Sequence, residues 1–165
     1  MSLLNGFFMF VTIILAMVLS AIIILEIYAA KYRGSLIIKP NDTDDNIINT
    51  LNRFTIRVNA LKPELVESML ENWDNDLVSL YLSNLVRLSI EQGVMLRFFE
   101  NCSRSQLNKT LYTLKMLNLN DLNEIISNDY NTYHHGGAPD TSVYMWYKLP
   151  LKNAMLNFIR SKANS

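Results

Sequence analysis

From Leu3 to Leu25 the chain carries no charged residue, and this run limits what it can fold into more than any other feature. As an α-helix, its 23 residues would extend about 35 Å, enough to cross a hydrocarbon core of about 30 Å with some tilt. Large apolar side chains occur along its whole length, at Leu3, Phe7, Phe8, Ile14, Leu19, Ile23 and Leu25. Asn5, Gly6, Thr12 and Ser20 are its only interruptions. Tyr28 and Tyr32 follow, and tyrosine suits the headgroup layer, where the ring is covered and the hydroxyl is wet. The run therefore predicts an uncleaved transmembrane anchor within residues 1–30. A cleaved signal peptide competes with this reading, but its apolar region would be about 7–15 residues long behind a basic stretch. Here the run is longer and no Lys or Arg precedes it. A buried core helix, the third reading, fits poorly with so many consecutive uncharged residues.

Flanking charge predicts the orientation. Lys31, Arg33 and Lys39 follow the run and no basic side chain precedes it. The positive-inside rule places the N-terminus outside and the C-terminal domain in the cytoplasm or on the matrix side of an organelle. The expected localisation is thus integral membrane, with the lipid bilayer as one partner. Three Asn-x-Ser/Thr sequons, at Asn41, Asn101 and Asn108, argue the other way if they are glycosylated, but a chain rich in Asn, Ser and Thr yields such triplets by chance. Within the anchor, Ala16 and Ser20 make a small-xxx-small pair, and Glu26 sits at its edge. Neither makes the segment more than an anchor.

Of the 165 residues, those after the anchor suffice for one ordinary domain with its own core. The single cysteine, Cys102, excludes an internal disulfide and fits a reducing compartment. Fifteen basic and fifteen acidic residues cancel, which argues against a nucleic-acid partner. The balance is uneven along the chain: residues 40–100 hold ten acids and five bases, and residues 101–165 hold seven bases and four acids. Halves of opposite sign can attract each other or a charged partner.

Residues 31–45 read as a juxtamembrane linker and 46–165 as a helical domain. Thr43 offers an N-cap, and Ile47, Leu51, Phe54, Val58 and Leu61 follow at alternating spacings of four and three. Pro63 opens a second helix carrying Leu65, Val66, Met69, Leu70 and Trp73. The third and longest is expected over Asp76 to Asn101, with an apolar band wide enough to be central and with Gly93 marking a kink or a close crossing. Ser103 starts a fourth helix with Leu107, Leu111, Leu114 and Leu117, and Asn118 or Asn120 divides it from a fifth with Leu122, Ile125, Ile126 and Tyr130. A loop from Asn131 to Thr141 follows. The aromatic run Val143–Lys148 reads as extended and is expected to pair with Leu36–Ile38 in a short two-stranded β ribbon. Pro150 opens the last helix, with Leu151, Ala154, Met155, Phe158 and Ile159 on one face. The expected architecture is mainly all-α: an anchor followed by an irregular bundle of five to six helices.

Chemistry is sparse. His134 and His135 fall in the Gly-rich loop without paired ligand spacing, so no metal is assigned. Cys102 with His134 makes an incomplete nucleophile and base. Asp42, Asp44 and Asp45 lack the Gly and terminal Glu of a calcium loop. No phosphate-cradling or dinucleotide motif is present and no cofactor is implied, while the sequence leaves a small-molecule ligand undetermined. The segment that invites a binding role is Tyr144, Trp146 and Tyr147 with Lys148, set against ordinary core filling by the same aromatics. Two function classes remain. One is a non-catalytic accessory, scaffold or assembly subunit, docked by its helical domain on a protein partner in a membrane complex. The other is a membrane-tethered enzyme or effector acting near Cys102, His134 and His135. An envelope or membrane-remodelling protein of a virus or phage is a variant of the first.

Overall fold

A computed structural model describes residues 12–14, 36, 38–39 and 41–163. Among them the architecture is all-α, without a strand. Thr43 caps α1 (Asp44–Asn59), its hydroxyl accepting from the Asn46 N–H at 3.3 Å. The predicted stripe of Ile47, Leu51, Phe54 and Val58 is buried. Pro63 is the first residue of α2 (Pro63–Asn72), where its missing N–H leaves no bond unmade. Asp74 caps α3 (Asn75–Glu91) by accepting from the Leu77 N–H at 2.8 Å. Then follow α4 (Met95–Asn101), α5 (Arg104–Met116) behind its Ser103 cap, and α6 (Asn120–His134). A 3-10 turn (Thr141–Tyr147) leads into α7 (Lys148–Ala163).

The helix expected over Asp76–Asn101 is two helices. Gly93 adopts φ +66°, the left-handed conformation that ends a helix rather than bending it. Around it the Val94 N–H donates to the Ser89 carbonyl at 2.9 Å and the Gly93 N–H to the Ile90 carbonyl at 3.1 Å, closing the last carbonyls of α3. Asn118, at φ 59°, ends α5 in the same way, with Leu119 donating to Leu114 at 2.9 Å. The aromatic run is not a strand either. Asp140 accepts from the Ser142 N–H at 2.9 Å and starts a 3-10 turn in place of the expected ribbon. Leu36 and Ile38 instead pack, half-buried, against the bundle. The last helix begins at Lys148, so Pro150 lies inside its first turn.

α3 is central, packing against α1, α5, α7, α4 and the 3-10 turn. Two apolar clusters meet along it. One joins Phe54, Trp73 and Tyr81, with ring centroids 5.5–6.4 Å apart, to Val66, Met69 and Leu82. The other runs from Leu51 and Val86 through Phe99, Leu114 and Leu122 to Leu151 and Met155. Between α1 and α3 the core is polar. Arg87 is only 2% exposed. Its Nε donates to Asn84 Oδ1 at 3.0 Å, Nη2 donates to Asn52, and Nη1 pairs with Glu91 at 2.6 Å. Asn84 donates in turn to Thr55 Oγ1 at 2.9 Å.

The opposite charges of the two halves meet within the fold. On α7, Arg160 pairs with Asp44, Lys152 lies 3.8 Å from Asp45, and Lys162 lies 2.9 Å from Asp76. The basic end of α7 thus rests on the acidic first turns of α1 and α3, which suits the helix dipoles.

The expectation of a membrane-spanning, single-pass protein with an integral membrane localisation is corrected. Among the described residues no helix is long and apolar enough to cross a membrane. The longest of them, α3, has 17 residues, about 25 Å against a hydrocarbon core of about 30 Å, and buries Ser83, Asn84 and Arg87. Of the expected anchor only residues 12–14, a helical piece that includes Ile14, are described. Leu3, Phe7, Phe8, Leu19, Ile23 and Leu25 lie outside the described residues.

Two stability outcomes follow from these features. Gly93→Ala is expected to cost about 1–2 kcal/mol in urea unfolding, the left-handed penalty alone, because a Cβ there meets nothing within 4 Å. Arg87→Ala is expected to cost about 3–5 kcal/mol, since it strips a buried network of its cation. Arg87→Met, which refills the volume, should lose distinctly less in the same measurement.

Candidate functional site

The 3-10 turn repeats every three residues, so Tyr144 and Tyr147 fall on one side and Met145 and Trp146 off it. Tyr144 faces the core. Its ring lies 6.4 Å from that of Phe99, and its hydroxyl donates to Asp129 Oδ2 on α6 at 2.7 Å. Tyr147 is half-buried and packs against the same cluster. Trp146 is 81% exposed, Met145 55% and Leu149 63%. Leu149 comes three and four residues after Trp146 and Met145 on an unbroken helical path, so the three share one side. Isolated exposed apolar residues are ordinary, but three within five positions, one a tryptophan, make a patch. Lys148 is exposed beside it, while Lys152 is turned toward Asp45. The predicted segment therefore divides: Tyr144 and Tyr147 hold it to the bundle, Trp146 and Lys148 face outward, and Met145 and Leu149 join them. The exposure of Met145 and Leu149, which composition alone does not show, identifies these two additions.

Among the described residues no hydrogen bond joins Cys102 to His134 or His135. His134 belongs to the end of α6 rather than to the loop, because the helix continues four residues further than expected. Its ring lies 4.2 Å from that of Tyr130 and its Nε2 is 3.3 Å from the Phe99 carbonyl oxygen. His135 Nδ1 is 2.6 Å from the Asn131 carbonyl oxygen. Cys102 is buried with its Sγ 3.5 Å from the Ser103 carbonyl oxygen. Cys102 and His134 thus each engage a backbone carbonyl. Burial pushes the Cys102 thiol up to about 12, so little nucleophilic thiolate exists at neutral pH. Among the described residues no group of three His, Cys, Asp or Glu side chains could hold a metal ion. Asp42 accepts from the Lys39 N–H at 2.9 Å, and Asp44 and Asp45 face α7.

A cleft of about 640 Å³ opens between the end of α1, the start of α2, the second half of α3 and α4. Val66, Leu85, Leu88 and Phe98 line it, with polar Asn59, Gln92 and Arg97 also on its walls. Tyr81 lines it as well, and its buried hydroxyl has no hydrogen-bond partner; Trp73 Nε1 is the other such buried atom among the described residues. An unmade hydrogen bond at a buried polar group costs about 1–3 kcal/mol.

The chain matches no protein-family model, no curated protein and no solved structure. Its all-α bundle and its surface are therefore the basis for a functional reading.

Three hydroxyl or thiol groups give an expected pH dependence. Burial raises Cys102, burial and then the nearby Cys102 raise Tyr81, and burial and then the bond to Asp129 raise Tyr144. The folded state keeps all three neutral. Their contribution is complete below the ordinary values of 9.0 for the thiol and 10.0 for the phenols, and is lost as pH climbs through the raised ones. Urea midpoints are expected to stay level for these groups from neutrality to about pH 9 and to fall above it. A thiol reagent at neutral pH should label Cys102 only after unfolding.

Proposed function

We propose that this chain is a non-catalytic accessory or scaffold subunit whose helical domain docks on a protein partner through Met145, Trp146 and Leu149. The observation that carries this reading is the contrast within one turn: Tyr144 is buried and hydrogen-bonded while Trp146, two residues on, is 81% exposed. A side chain of that size, left uncovered beside the anchored Tyr144, is of the kind that dominates binding energy at protein interfaces. Lys148 at its edge favours a partner with an apolar pocket and an acidic rim. The reading also fits a chain with no net charge, three of whose ion pairs join its acidic and basic halves.

The test is photo-crosslinking from position 146 of the full chain in its native cells, with the captured protein then measured against the purified chain. One defined partner is expected, and Trp146→Ala should weaken its binding roughly 30-fold, as for an interface anchor, with the urea midpoint unchanged. A crosslinker that captures nothing, or an affinity indifferent to Trp146→Ala, would overturn the reading.

A further inference from the structure

We propose that the cleft bounded by α1, α2, α3 and α4 is a binding site for a small organic molecule that joins an apolar body to a hydrogen-bond acceptor, such as a ketone. Two independent observations meet there. The first is size and lining. At about 640 Å³ the cleft falls within the range of small-molecule sites, roughly 300–1,000 Å³. Its apolar lining comes from buried Val66 and Phe98 and half-buried Leu85 and Leu88, while Asn59 and Gln92 stay exposed. Polar Glu67, Arg97, Asn101 and Gln106 also line it, so its walls are mixed, with an apolar part where a ligand's ring can rest.

The second is the Tyr81 hydroxyl. Tyr81 lines the cleft, is 0% exposed, and its oxygen has no hydrogen-bond partner. Buried hydroxyls are nearly always paired, so one left open calls for a partner from outside the fold. Other hydroxyls on these walls are satisfied from within: Ser89 donates to the Leu85 carbonyl at 2.9 Å, and Ser103 to Glu67 at 2.6 Å. A phenol O–H is a good donor, so the matching ligand group is an acceptor. The site is separate from the Trp146 patch, and its failure leaves the docking reading untouched.

The probes are acetophenone, which has an apolar ring and a carbonyl, and ethylbenzene, which has the ring alone. Each is titrated into the full chain with methyl groups isotopically labelled, and the Leu88 and Val94 resonances are followed by NMR. The wild type is expected to bind acetophenone about fivefold more tightly, the worth of one ordinary hydrogen bond. Tyr81→Phe should erase that preference while still binding ethylbenzene, and should fold at least as stably because the orphaned hydroxyl is gone. Leu88→Trp, which fills the cleft, should abolish binding of both. Absence of any shift at Leu88 and Val94 with either probe would overturn the proposal, as would a preference for acetophenone that survives Tyr81→Phe.

Discussion

The guanidinium of Arg87 sits inside the bundle, answered by the Glu91 carboxylate and by the side-chain oxygens of Asn52 and Asn84. A charge so placed restricts the helices around it. Asn52 comes from α1 and Asn84, Arg87 and Glu91 from α3, so the network sets how these two helices lie along each other. A shift of one helix along the other would break the two bonds that cross between them, Arg87 to Asn52 and Asn84 to Thr55, and leave buried polar groups short of partners. Thr55, which accepts from Asn84, extends the same constraint one turn further along α1. With α1 and α3 fixed, the remaining helices have a defined surface to cover. α5 and α7 pack on α3, and α6 packs on α5.

Charge elsewhere acts more loosely. The pairs that tie α7 to α1 and α3 involve exposed or half-exposed side chains, and such pairs contribute about 0–1 kcal/mol each. They orient α7 more than they hold it. Its attachment comes from Leu151, Met155, Leu156 and Ile159, all buried. The same helix presents Leu149 to solvent at its first turn, so one element serves both the core and the proposed docking face.

Local signals along the sequence carried far. Thr43, Pro63 and Ser103 mark helix starts by chemistry that involves only the next three residues, and those starts are where they were expected. The apolar stripes of α1, α2, α5 and α6 were legible for the same reason. Features that depend on distant partners were not. Gly93 fits a kink as well as a stop until its φ is known. The length of α6 depends on Tyr130 and Tyr133 packing against Phe99. Val143–Lys148 has the composition of a strand, yet the Asp140 cap and the Tyr144–Asp129 bond make it a 3-10 turn. The patch was legible as a set of aromatics, but which of them faces water was not. Arg87 and Asn84 were missed because polar residues within a wide apolar band are ordinarily assigned to the surface. The uncharged run Leu3–Leu25 is a strong signal of its own, and no described helix has the character that it predicts.

The contact between Arg160 and Asp44 joins residues separated by 116 positions. Most other packing in the bundle links helices closer in sequence, and α7 reaches back mainly to α3, with ion pairs to the first turn of α1. During synthesis, α1 to α6 emerge from the ribosome first. They can assemble around α3 while the face that Leu151 and Met155 will cover remains open. Closure waits for the last helix. The nascent domain therefore passes through a stage in which much of its helical structure exists beside an uncovered apolar surface, the kind of surface that chaperones bind and that aggregates when they do not.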